Sequence, residues 1–168
     1  MAKGATRRAT KTATRARGRG AAARKSSARA RPKASAAPAR RKHKFVVSHL
    51  DPKDFKTDGL RTYAAYRDLG IKDATYGMAI AHVVKFKGPC DPKVVSKMHL
   101  HKAQFQMIYV LKGSMTTEFD GQGVHTMNAG DAWLQPPSIK HKVHHYSDDC
   151  EVLEIVMPAD FKTVELEK

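Results

Sequence analysis

Residues 97–113 read KMHLHKAQFQMIYVLKG, and residues 130–141 read GDAWLQPPSIKH. His99 and His101 lie two apart in a short β-prone run, so on a strand both imidazoles project from one face, where a single ion can reach them. Histidine pairs of this kind usually belong to a surface or to a satisfied core. What points to a metal is the continuation. Gln106 follows on the next predicted strand, Gly113 marks a tight turn after it, and the second block brings Gly130, Pro136 and His141.

Outward from these blocks, the chain from Leu60 onward is a series of short β-rich runs separated by turn signals, the pattern of a sandwich or barrel. The predicted strands are 62–69, 78–86, 97–101, 105–112, 114–119, 123–127, 132–135, 142–146 and 151–157. Helical periodicity is suggested only for 159–164. Phe105, Met107, Ile108, Tyr109, Val110 and Trp133 are expected mostly in the core, some of them lining its cavity.

The two blocks resemble the paired motifs of the cupin superfamily, G-x5-H-x-H-x(3,4)-E-x6-G and G-x5-P-x-G-x2-H-x3-N. His99, His101 and Gly113 match the first; Gly130, Pro136 and His141 match the second. Gln106 stands where Glu is usual, Ser138 where the second Gly is usual, and His145 where Asn is usual. The likeness spans about residues 60–160. The segment Tyr66-Arg67-Asp68-Leu69-Gly70 is similar to one in small single-domain bacterial cupins. The resemblance implies an all-β fold, one double-stranded β-helix or jelly-roll-like barrel; the basic N-terminal tail before it is expected to be disordered on its composition. The expected divisions are tail 1–44, linker 45–59, barrel 60–160 and C-terminal extension 161–168.

The resemblance also implies a metal site built from His99, His101, His141 and Gln106. Three neutral imidazoles and an oxygen suit one divalent transition metal, Mn, Fe, Ni, Co, Cu or Zn, and leave positions open on an octahedral ion. Gln in place of Glu makes such a centre one charge more positive, which favours a small anionic metabolite as ligand. Cupins that linearise unsaturated uronates are similar in having three His and one Gln. The expected activity is isomerase or lyase chemistry, with dioxygenase chemistry as the other enzymatic reading. Gln106 has a second reading, as a hydrogen-bond partner of a ligating ring. His145 shares a face with His141 and Val143 if the strand is regular, making it a candidate catalytic proton-transfer group or a half-buried histidine without a role. His82, His125 and His144 are expected to face solvent. Ser138 suggests a corner with no need for a positive φ.

Charge divides the chain. Residues 1–44 hold 16 of the 31 Lys and Arg and none of the 16 Asp and Glu, so the remainder sums to −1. With no apolar residue larger than Ala between Met1 and Phe45, the tail cannot offset its ordering entropy. It could engage nucleic acid nonspecifically, with a slope of log K against log salt near −7 on duplex DNA if about half its cations made contact. It could also be inert. A non-catalytic sensory barrel held on nucleic acid by this tail is the alternative function. No secretory signal or spanning segment is evident, Cys90 and Cys150 follow no metal-ligand spacing, and a cytoplasmic location, potentially nucleoid-associated, is expected. Dimerisation through an edge strand at 62–69 is expected as well.

Overall fold

The computed structural model describes residues 41–59 and 61–166, so all of the predicted tail before Arg41 lies outside it. Ten strands are present among the described residues: β1 (Ala64–Asp68), β2 (Ile80–Phe86), β3 (His99–Lys102), β4 (Phe105–Lys112), β5 (Ser114–Phe119), β6 (Gly123–Asn128), β7 (Ala132–Leu134), β8 (His141–Tyr146), β9 (Glu151–Met157) and β10 (Lys162–Glu165). They form two five-stranded sheets of order β1-β2-β9-β4-β7 and β10-β3-β8-β5-β6, in which every pairing is antiparallel. This is the expected all-β barrel. Two single-turn helices, α1 (Ile71–Ala74) and α2 (Pro92–Val95), join strands. The second begins where the Asp91 side chain accepts from the Lys93 N–H at 2.9 Å and Pro92 takes the first helical position.

Alternation sorts side chains to the two faces of each sheet. On β4 the inward residues are Gln106, Ile108 and Val110, all buried, whereas Tyr109 is exposed and Phe105 and Met107 are half-buried. The expectation that this whole run is core therefore holds for alternate residues only. Inward positions also change character along the barrel. At one end Val84, Phe86, Val110, Met115, Tyr146 and Val152 make an apolar plug, with the Phe86 and Tyr146 rings 4.7 Å apart. Burying each large side chain of this plug contributes roughly 1.5–3 kcal/mol. At the other end the inward residues are polar: His82, His99, Gln106, Gln135, His141 and Glu154. They surround a cavity of about 760 Å³.

Three local departures from the sequence reading matter. Residues 159–164 do not form a helix; Lys162–Glu165 is β10, paired with β3 with Thr163 opposite His101. Phe161 and Thr163, at period two, both line the cavity. Strand β8 is bulged: Val143 pairs with Thr117 but His145 pairs with the adjacent Thr116, leaving His144 as the extra residue. Finally, Ser138 does adopt a positive φ, +60°. The corner needs it because the Ser138 N–H turns to the His101 carbonyl, 3.1 Å away. A side chain in this region is strained, so Ser138→Gly is expected to raise thermal stability by about 1 kcal/mol. Equal melting temperatures for variant and wild type would show that the serine is not strained.

Before the barrel, Arg67 holds the 45–59 segment by donating to Ser48 O, Ser48 Oγ and His49 O at 3.1, 2.8 and 2.8 Å. Phe45 and Leu50 stay exposed. The outer edge of β1 is met only by an isolated bridge from Lys56 to Tyr66. No helix among the described residues is long and apolar enough to cross a membrane.

Candidate metal centre

The three motif histidines meet because their strands are neighbours. His99 on β3 is the direct cross-strand partner of His141 on β8, and His101 lies two residues along β3 on the same face. The ring centroids of His99 and His141 are 4.2 Å apart, and His101 lies 5.1 Å from each. One ring nitrogen from each fits within a 4.8 Å cluster.

The surroundings decide which nitrogen is free. His99 Nδ1 faces the Lys97 carbonyl at 2.8 Å, and His141 Nδ1 faces the Ile139 carbonyl at 3.0 Å. A carbonyl only accepts, so each Nδ1 carries the proton and each Nε2 keeps a lone pair. His101 Nδ1 lies 2.9 Å from Thr163 Oγ1, which can accept in the same way. Burial drives the His99 pKa down to about 3 and that of His101 to about 4, and it lowers His141 as well. Neutral imidazoles with oriented lone pairs are the form in which histidine binds a metal, so these residues fit a divalent ion.

Gln106 approaches from the opposite sheet. Its Nε2 donates to Glu154 Oε1 at 2.5 Å, and its Oε1 accepts from Gln135 Nε2 at 2.9 Å. Gln135 Nε2 also lies 3.2 Å from His141 Nε2. Because a carboxylate only accepts, Glu154 fixes the amide so that its oxygen points away, toward Gln135. The chemistry of Gln106 is thus set by a residue absent from the motif reading.

Glu154 is the principal residue missed. It sits inward on β9 between Val152 and Val156, and its second oxygen lies 2.5 Å from His82 Nε2. Burial alone would raise its pKa; the bond from His82, the positive charge it and His101 can carry, and the Gln106 amide together lower it. His82, expected in solvent, is therefore a cavity residue, with its side chain 12% exposed and the Tyr66 ring edge-on at 5.5 Å. Both residues had a signal. Each is a lone polar residue at an inward, period-two position inside an apolar run.

His145 goes the other way. The bulge at His144 reverses the alternation, so His141 and Val143 line the cavity, Tyr146 is buried in the plug, and His145 is exposed on the outer face. It has no part in the cavity. His144 bonds Glu118 Oε2 at 2.8 Å, and His125 is exposed as expected.

With the barrel and its histidines in place, comparison with known proteins is informative. A family model described as the cupin domain matches residues 90–156. Over those residues, less than half of the chain, the sequence is similar to the cupin domain. No curated protein matches the sequence. Among solved structures, the KdgF protein from Halomonas sp. is 21% identical with a TM-score of 0.51, over 66% of this chain and 94% of that one. The polyketide cyclase RemF from Streptomyces resistomycificus is 18% identical with a TM-score of 0.55, over 73% and 87%. Oxalate decarboxylase from Bacillus subtilis is 18% identical with a TM-score of 0.53, over 74% of this chain and 34% of that one. At these identities the likeness is one of fold. In this chain, His99, His101, His141 and Gln106 are the motif positions that line the cavity, whereas Ser138 and His145, the other two departures, do not.

Proposed function

We propose that this protein is a metal-dependent cupin enzyme acting on a small anionic metabolite, with His99, His101 and His141 holding one divalent ion and Gln106 supplying an oxygen. The observation that carries this reading is the convergence of one ring nitrogen from each of the three histidines inside a cavity large enough for a metabolite. A divalent ion there would polarise a carbonyl or carboxylate oxygen and acidify a water. The residues around it have separate tasks. Glu154 orients Gln106, and with His82 it forms a pair able to hold a proton on the cavity wall. Trp133, Ile108 and Phe161 exclude water from the remaining walls.

With Gln rather than Glu at position 106, the donors contributed by the protein are all neutral. That favours isomerase or lyase chemistry on a carbonyl acid over oxygen chemistry, where an anionic ligand would compensate an oxidised metal. The full-length protein is expected to take up one equivalent of Mn, Fe, Ni or Zn, measured by elemental analysis after dialysis. Uptake of none of them would end the metal reading. The sensory alternative shares the barrel and differs in lacking turnover; its support is the concentration of positive charge in residues 1–44. Homodimerisation stays a proposal, supported by the nearly uncovered β1 edge.

A further inference from the structure

A cation stands in the same cavity as the three histidines. Arg61 lines the cavity along with the three histidines, and its side chain is only 13% exposed. Its Nη1 makes one long contact, 3.5 Å, to Glu165 Oε1, whose own side chain is 47% exposed. Its Nη2 is enclosed and has no hydrogen-bond partner among the described residues. A buried guanidinium N–H without an acceptor costs on the order of 1–3 kcal/mol, so the site is arranged for a partner to arrive. Glu165 is the cross-strand partner of His99 on β10, which places the ion pair beside the metal-site strand. The guanidinium also helps lower the proton affinity of all three histidines, as expected of a charge facing them.

We propose that Arg61 is the receptor for a carboxylate of the substrate, bound at the cavity wall beside the three-histidine cluster. A planar guanidinium with a free N–H edge matches a planar carboxylate, with two parallel charge-assisted bonds. Another residue of the same cavity sets the charge of the ligand. Glu154 is held ionised by its His82 and Gln106 bonds, and it repels a dianion such as phosphate more than a monoanionic carboxylate. Asp54, Asp58 and Asp68 also line the mouth, but they are exposed and screened by water, so the enclosed guanidinium dominates the interior field. Glu165, 3.5 Å from Nη1 on the other edge, competes with the substrate for the charge of the guanidinium without blocking the free edge. This inference rests on the cavity's being the substrate site and narrows the anionic metabolite to a carboxylate.

The test uses Trp133, the single tryptophan of the chain, which lies on the cavity wall and reports its occupancy by fluorescence. Full-length protein, with and without Zn(II), is titrated with benzoate, benzamide and inorganic phosphate. Benzoate is expected to bind best. Arg61→Gln is expected to weaken benzoate about tenfold or more while leaving benzamide and Zn content unchanged, with Arg61→Lys in between. Glu165→Gln, an exposed change that leaves the fold intact, is expected to tighten benzoate several-fold. Equal benzoate affinity in wild type and Arg61→Gln would overturn the proposal, as would preference for phosphate. If Arg61→Gln does not fold, unchanged affinity in Glu165→Gln overturns it instead. A wild type that binds no Zn counts against the metal reading alone, because the dependence of benzoate on Arg61 is expected in metal-free protein too.

Discussion

Replacing His141 by alanine is expected to abolish stoichiometric metal uptake, whereas replacing His145, four residues on, is expected to leave it unchanged. His141 supplies one of three converging nitrogens, and the remaining pair cannot close a site. Changing a residue that merely orients a ligand weakens metal binding about 10–100-fold, so removing a ligand is expected to cost at least about 100-fold. The strand itself should survive, because its ladder to β3 and β5 is made by backbone groups. Gln135 loses one neighbour but keeps its bond to Gln106. His145 is exposed on the outer face, opposite Thr116, where an alanine disturbs neither the cavity nor the plug. Equilibrium dialysis of both variants against Zn(II), with circular dichroism as the check on folding, reads the contrast. Metal retained by His141→Ala, or lost by His145→Ala, would place the centre elsewhere.

That contrast also marks where sequence reading reaches its limit. Strict alternation put His99 and His101 on one face, as the structure has them, because they sit in a short regular stretch, and the motif resemblance added His141, which pairs with His99 across the strands. It failed at His145 because one extra residue at His144 reverses the faces, and a bulge leaves no sign in a run such as His141-Lys142-Val143-His144-His145-Tyr146. Ser138 shows a second limit. The residue type argued against a positive φ, but the hydrogen bond from its N–H to the His101 carbonyl comes from a strand distant in sequence and overrides the local preference. Glu154 and His82 were legible in principle, as polar residues at inward positions of β9 and β2. Their pairing was not, since it depends on β2 and β9 being adjacent, which the chain order of the strands does not reveal. Arg61 lies just before β1, where the sequence offers turn formers and no periodicity at all.

The largest effect on stability is expected at Gly113, the motif glycine between β4 and β5. Its φ is +66°, a conformation that costs a residue with a side chain about 1 kcal/mol or more. Conformation alone does not explain the glycine. A β-carbon there would stand 2.1 Å from Ser147 Oγ, 2.6 Å from Asp149 Oδ1 and 3.0 Å from Cys150 Cα. Ser147 Oγ cannot simply turn away, because it accepts the Ser114 N–H at 2.9 Å and donates to Asp149 Oδ1 at 2.8 Å. Moving it breaks both bonds at about 1 kcal/mol each, and the Cys150 backbone leads directly into β9. Gly113→Ala is therefore expected to lose roughly 3–5 kcal/mol, a fall in melting temperature on the order of 10 °C for a chain of this length. Gly121 supplies the control. Its φ is +74° and nothing lies within 4 Å of its would-be β-carbon. Gly121→Ala should show the conformational cost alone, about 1 kcal/mol. If thermal unfolding gave the two variants equal losses, the requirement for glycine at 113 would be its φ alone. The predicted gap between them says that the chain from Ser147 to Cys150 is packed directly on the β4–β5 turn, and this contact helps keep β9, with Glu154, in place beside β4, which carries Gln106.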